Sequence, residues 1–291
     1  MNKEELLKKI EETFYLQDHY NSLINKEWFK ERDLAVDWIN ALLDESSEFL
    51  NSFNWKWWKD IEGKKLYSFK DKNNVLIELV DMYHFIISFL IQISKVFFSN
   101  KVEDKKYGLL KKLRLNSDFS DLYLSKIFGL FTLDRKKERF SEKEIFILLH
   151  NFLKEVIETL YDLEEIIRLL SKKKDYKKPN NNFDSLIEFY SGLLTLNKEK
   201  FLEKILFKKA IEHFLDLLQV SGFSIEDLIK FYIGKVFLNE YRQIKGYKEG
   251  KYKKIWKNGK EDNENLFEII KKLKIEDLKK ERLFEEFDKR Y

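Results

Sequence analysis

Three observations predict an all-α fold. Apolar residues recur three and four apart along almost the whole chain, the spacing that gives a helix one apolar face. Only 9 of 291 residues are glycine and one, Pro179, is proline, where average usage supplies about 20 glycines. Tight β-hairpins need both residue types, so their scarcity argues against a β-rich fold. Hydrophobic residues make up 44% and aromatics 16%, which is ample for a large core and excludes a disordered chain.

The periodicity places helices over 3–25, 30–53, 74–100, 142–171, 183–194, 198–219, 224–245 and 263–289. Ser224 with Asp227 three residues on has the form of an N-terminal cap, and Asn73-Asn74 before Val75 marks another helix start. Residues 54–73 read as a lysine-rich loop opening on a tryptophan cluster, and 101–141 as irregular. The run Ser171 to Asn182, with the proline and three consecutive asparagines, reads as a linker. The N-terminus lacks the apolar core of a secretory signal. The most apolar stretch, Val75–Phe98, is interrupted by Glu78, Asp81, His84, Gln92 and Lys95, which suits a buried helix better than a membrane span. The expected location is therefore cytoplasmic, with no membrane partner. The absence of cysteine excludes disulfides, Cys-ligated zinc and thiol catalysis.

Two predicted helices each carry an acidic pair one turn apart: Glu45 and Glu48 in LLDESSEFL, Glu78 and Asp81 in VLIELVDMYHF. The second pair lies in a nearly continuous apolar run, where an unpartnered carboxylate costs several kcal/mol, so a cation is required. Four hard oxygen ligands on two facing helices suit Mg²⁺, which also accepts phosphate oxygens. The other reading of such pairs is a solvated acidic face.

Lys+Arg 55 against Asp+Glu 51 leaves a net charge of only +4, too little for a bulk polycation. The charge is unevenly spread. Lys235–Lys260 holds nine basic and two acidic residues, a local +7, with three of the nine glycines, Gly246, Gly250 and Gly259. Gly, Tyr and Lys at this density can wrap a polyphosphate, with Arg242 as a two-pronged grip. Alternatively, Tyr247, Tyr252 and Trp256 can stack on nucleic-acid bases. There is no GxxxxGK[ST], no HExxH and no GxSxG, so P-loop, zincin and serine-hydrolase chemistries have no support.

Together these blocks resemble the all-α dimeric dUTPases, relatives of the MazG-like nucleotide pyrophosphatases. The resemblance rests on Glu45-Ser-Ser-Glu48, then Trp55-Lys-Trp-Trp-Lys59, then Glu78-Leu-Val-Asp81 with His84-Phe85. It extends through Lys235, Leu238-Asn239, Tyr241-Arg242-Gln243, Gly246-Tyr247, Gly250, Tyr252, Lys254-Ile-Trp256 and Glu261-Asp262-Asn263, and Gln17-Asp18 with Asn21 matches the first motif. It covers about 17–90 and 222–265. Val236 stands where the family has Asn, and Tyr241 where it has Phe.

The resemblance implies one all-α dUTPase-type domain over 1–291: a helical bundle core with two acidic metal-binding helices, a catalytic core of 1–100 and 222–265, and a variable, mobile helical lobe of 101–221. It implies a homodimer in which Glu45, Glu48, Glu78 and Asp81 hold Mg²⁺ on the triphosphate. A motif carboxylate, Glu48 or its neighbour Glu45, activates a metal-bound water, giving dUMP and pyrophosphate. By the same resemblance Gln17 and Asn21 read uracil, Phe85 stacks on it, and Trp55 and His84 line the base site. Asn239 meets the sugar, and Arg242, Tyr247, Lys251 and Lys254, helped by Lys235, meet the phosphates. Hydrolysis of dUDP or dCTP is a neighbouring reading, and a nucleic-acid-binding helical module a distant one; no stable nucleic-acid partner is expected.

Overall fold

The computed structural model describes residues 1–31, 36–59, 63–99, 119–132, 143–172 and 182–291. Among them are twelve α-helices and no strand; extended pairing is confined to two isolated bridges, Phe53 with Phe69 and Ile255 with Glu261. The helices are α1 (Lys3–Ile24), α2 (Trp28–Glu31), α3 (Val36–Asn51), α4 (Lys72–Ile93), α5 (Ser120–Phe131), α6 (Glu144–Lys172), α7 (Phe183–Leu193), α8 (Lys198–Ile205), α9 (Lys208–Val220), α10 (Ile225–Ile244), α11 (Asp262–Lys272) and α12 (Lys280–Arg290).

Helix α4 is the spine. It is buried on nearly every side, as a helix apolar all round must be, with α1, α3 and α10 packed around it. Composition alone would let Lys72–Phe98 cross a membrane, but 89% of its apolar window is buried inside the protein, as the sequence reading expected. Its last turn widens into a π-helix at Ser94–Phe98. Helices α5 to α9 extend the same hydrophobic cluster from the far side, α6 against α9 and α3, and α5 against α1 and α9.

Local chemistry starts the helices that carry the site. Asn2 and Glu5 form a reciprocal capping box on α1, and Ser224 with Asp227 forms the expected one on α10. The start of α4 is capped by Asp71, whose Oδ1 accepts from the Asn73 and Asn74 amides, so the two asparagines lie inside the first turn. Gly234 lets α10 and α11 approach: a Cβ there would lie 2.5 Å from Ile270 Cδ1.

Several expected boundaries shift. Residues 101–141 are not wholly irregular, because α5 buries Tyr123, Ile127, Phe128 and Phe131 on one face. The helix expected over 198–219 breaks at Phe207, which adopts φ 59° while its ring is buried 5.0 Å from Phe89. The helix expected over 263–289 is α11, a 3₁₀ turn at Ile275–Asp277, and α12. In place of a single helix over 30–53 there are α2 and α3, with 32–35 outside the described residues. Most of the Ser171–Asn182 linker lies outside them as well.

Candidate active site

Four long helices, joined by Trp28 of α2, line a cleft of about 460 Å³. Each contributes residues at helical spacing, so one face of each points inward. From α1 come Gln17 and Asn21, from α3 Trp38 and Glu45, from α4 Asp81, His84, Phe85 and Ser88, and from α10 Lys235, Asn239 and Arg242. The last three stand at i, i+4 and i+7.

The acidic end combines α3 and α4. One carboxylate oxygen each from Glu45, Glu78 and Asp81 lie within 4.8 Å of one another. Glu78 is buried; its Oε1 accepts from Asn74 Nδ2 at 2.8 Å, and its Oε2 has no partner among the described residues. Burial first, and then the neighbouring carboxylates, push the Glu45 carboxyl up to about 8 and that of Glu78 to about 7. Among the described residues the cation on the group is Lys235, buried, with Nζ 2.7 Å from Asp81 Oδ2 and 3.1 Å from Asn263 Oδ1. Once all three carboxylates are ionised, as cation ligation requires, one ammonium leaves an excess of two negative charges on a cluster of oxygen donors, which fits a hard divalent ion. Glu48, one turn beyond Glu45, is exposed and outside this group, although its charge raises both Glu45 and Glu78.

The opposite end is a buried amide network. Gln17, 3% exposed, donates from Nε2 to Asn21 Oδ1 at 2.9 Å, and Asn21 Nδ2 donates to Ser88 Oγ at 2.9 Å. Gln17 Oε1 lies 2.8 Å from the Tyr232 hydroxyl and 2.6 Å from His84 Nδ1. Burial lowers the His84 imidazole to about 4, so the ring is neutral. Phe85 lines the cleft with its ring 6.3 Å from Trp38.

A family model described as dUTPase matches residues 9–247, most of the chain. The chain belongs to the dUTPase family. It is a dUTP diphosphatase, a hydrolase of nucleotide metabolism in the all-α dUTPase family, and its substrate class is the nucleotide. No curated protein matches it. dUTPases generally use a divalent metal, and in this dUTPase the acidic cluster sits in the cleft.

Residues expected at the site divide in two. Gln17, Asn21, Glu45, Asp81, His84, Phe85, Lys235, Asn239 and Arg242 line the cleft of this dUTPase, with Glu78 in the acidic group. Trp55, Tyr247, Lys251 and Lys254 do not line it. Trp55 packs on the core with its ring 5.3 Å from Trp58, while Tyr247, Lys251 and Lys254 are exposed on the loop after α10. Arg242 faces inward: Nε donates to Asp262 Oδ2 at 2.9 Å and one terminal nitrogen to Asn239 Oδ1 at 2.9 Å.

The loop over 246–261 is pinned. Gly246, Gly250 and Gly259 all have positive φ, which explains their clustering. Trp256 is buried, and the Tyr252 ring stacks on Tyr291 at 5.4 Å. Both rings are therefore occupied, and the base-stacking reading of this segment loses them. Sequence reasoning missed Trp38, Ser88 and Tyr232, and gave Asp262 no role. Trp38 and Ser88 were readable as the positions one heptad before Glu45 and one heptad after Asp81; Tyr232 had no such signal, and Asp262 stood in the Glu261-Asp262-Asn263 block without an assigned role.

Proposed function

We propose that this dUTPase hydrolyses dUTP to dUMP and pyrophosphate with Mg²⁺ held by Glu45, Glu78 and Asp81, and Glu48 completing the set. The observation that carries the reading is the unpartnered Glu78 Oε2 within a buried three-carboxylate group that one lysine does not neutralise. The chemistry supplied by bound Mg²⁺ is neutralisation of triphosphate charge and acidification of the attacking water. Glu48 is the carboxylate open to solvent beside the cluster, and it takes the water's proton and passes it to bulk; Glu45 is the alternative base.

The amide network supports uracil recognition by Asn21, Gln17 and His84 at the base end, with Phe85 and Trp38 flanking the ring. Asn239, between Lys235 and Arg242 on α10, meets the sugar. Lys235 and Arg242 face the phosphates, and the exposed Tyr247, Lys251 and Lys254 are available to the phosphate tail. Among the described residues none of those lining the cleft comes from 101–221, which supports a catalytic core of 1–100 and 222–265 with 101–221 as a variable helical lobe. A homodimer completes the reading: Val36 and Leu43, a heptad apart on α3, and Tyr15 and Leu23, eight apart on α1, are exposed apolar residues suited to a second copy. A cytoplasmic location is in keeping with the cysteine-free sequence.

Pyrophosphate release from dUTP, dUDP and dCTP, with Mg²⁺ or with chelator, tests this reading. The expected result is turnover of dUTP that needs the metal and falls at least about 100-fold in Glu48→Gln, the lower range for loss of a general base. Equal turnover by Glu48→Gln would remove Glu48 as the base. Metal-independent turnover would remove the metal site.

A further inference from the structure

One polar atom at the base end has no hydrogen-bond partner among the described residues. His84 Nε2 is unpartnered, on a ring that is 7% exposed and lines the cleft. Whether it can donate or only accept is decided elsewhere. A neutral imidazole carries a single N–H. With Nδ1 2.6 Å from a carbonyl oxygen, Gln17 Oε1, the proton must sit on Nδ1 and Nε2 is left as a bare lone pair. The Gln17 amide therefore sets the tautomer.

Two contacts orient that amide. Its NH₂ donates to Asn21 Oδ1, and its carbonyl accepts from the Tyr232 hydroxyl at 2.8 Å. Turning the amide over would place an N–H against His84 Nδ1 and move the ring proton to Nε2. The Tyr232 hydroxyl opposes this turn, with one proton and two acceptors in reach: Gln17 Oε1 at 2.8 Å and the Thr13 carbonyl at 3.0 Å. The Thr13 carbonyl already serves the α1 ladder, and the shorter bond goes to Gln17. Tyr232 is fully buried between Tyr83 and His84, so it cannot touch substrate.

The pairing edge of uracil presents N3–H between two carbonyls, whereas cytosine presents a bare N3 beside an amino group. A lone pair at His84 Nε2 accepts the N3–H of uracil and faces the N3 lone pair of cytosine. We propose that Tyr232 is a positioning residue for pyrimidine specificity: its hydroxyl orients the Gln17 amide, which fixes His84 as the Nδ1–H tautomer and leaves Nε2 to select a base carrying N3–H. This rests on the base end of the cleft being the uracil site, as proposed above. It also sets a limit, since thymine carries the same N3–H and this relay does not reject it.

The test compares kcat/KM for dUTP, dTTP and dCTP in the wild-type protein and in Tyr232→Phe, which keeps the ring packing and removes only the hydroxyl. The preference for dUTP over dCTP is expected to fall about tenfold or more, one hydrogen bond's worth of discrimination. The ratio of dUTP to dTTP should stay constant, because both share the edge that His84 reads. A merely structural role would lower all three together and leave both ratios unchanged, which overturns the proposal. Nitrogen-15 NMR of the histidine rings supplies a readout independent of turnover. Wild-type His84 protonated at Nδ1, shifting toward Nε2–H in Tyr232→Phe, supports the relay; Nε2–H in the wild type overturns it. If the wild-type protein discriminates poorly between dUTP and dCTP, the uracil site itself is misplaced, and the NMR result still decides the tautomer.

Discussion

Asp262 shows how a residue remote from the chemistry can hold a site together. It is fully buried and accepts from Arg242 Nε, from the Tyr252 hydroxyl at 2.9 Å and, through Oδ1, from the Asn263 amide. Removing one partner of a buried ion pair leaves the other charge uncompensated, at a cost of about 3–5 kcal/mol. Asp262→Ala should lower stability by that amount in chemical denaturation and raise the KM for dUTP as Arg242 loses its anchor. A second residue-scale prediction concerns pH. Glu45 and Glu78, raised to about 8 and about 7, keep protons in the folded protein that the unfolded chain, titrating near 4.5, has released. Their contribution to stability is therefore full below the unfolded value and disappears as pH rises through 7 to 8. Metal-free protein should show a denaturation midpoint that declines between about pH 5 and pH 8. Mg²⁺ should reverse the decline, most at the alkaline end, because ligation requires ionised carboxylates. A midpoint in chelator that is flat across this window would contradict these protonation states.

At the scale of elements, the α10–α11 crossing depends on a missing side chain. A Cβ on Gly234 would meet Ile270 Cδ1 at 2.5 Å and Cγ1 at 2.8 Å. Gly234→Val should therefore destabilise by about 1–3 kcal/mol, the usual range for overpacking. Adding Ile270→Ala should recover part of that loss, since it clears the space the valine enters; thermal melts of both variants measure the difference. Because α10 carries Lys235, Asn239 and Arg242, the single variant should also weaken dUTP binding. The element scale is also where sequence reading met its limits. Helix α10 is legible because apolar periodicity and the Ser224–Asp227 cap agree, and α1 and α4 are legible chiefly from their periodicity. The break at Phe207 is not, because no Gly, Pro or Asn marks it, and only burial of the ring against Phe89 holds the backbone at positive φ. Helix α5 was hidden for a different reason: its four buried residues sit within a stretch of mixed charge that dilutes the pattern.

Across the whole molecule, the small net charge conceals a separation. The Lys235–Lys260 segment carries +7 by sequence, and its first residue crosses to the acidic cluster to pair with Asp81. The metal and the substrate phosphates should therefore bind cooperatively, since each brings the charge the other's site lacks. Thermal shift measurements should show a larger rise in Tm for Mg²⁺ with a non-hydrolysable dUTP analogue than the sum of the two alone. The exposed apolar residues on α1 and α3 predict a mass near twice 35.5 kDa in light scattering. A monomer at all concentrations would remove the dimer from the reading.

By itself the sequence determined the all-α class, most helix boundaries, the two acidic turns and the motif blocks that place the chain among the dUTPases. All of these are local properties, written in spacings of three and four residues or in short runs. Only the tertiary structure decided that Glu45, Glu78 and Asp81 converge while Glu48 faces solvent, and that Asp81 pairs with Lys235 from a helix about 150 residues away. It also decided that Trp38 rather than Trp55 lines the cleft. Periodicity tells which face of a helix is apolar, but which two faces meet, and at what depth, depends on how the helices cross. That crossing is set by contacts such as Gly234 against Ile270, between residues far apart in the chain.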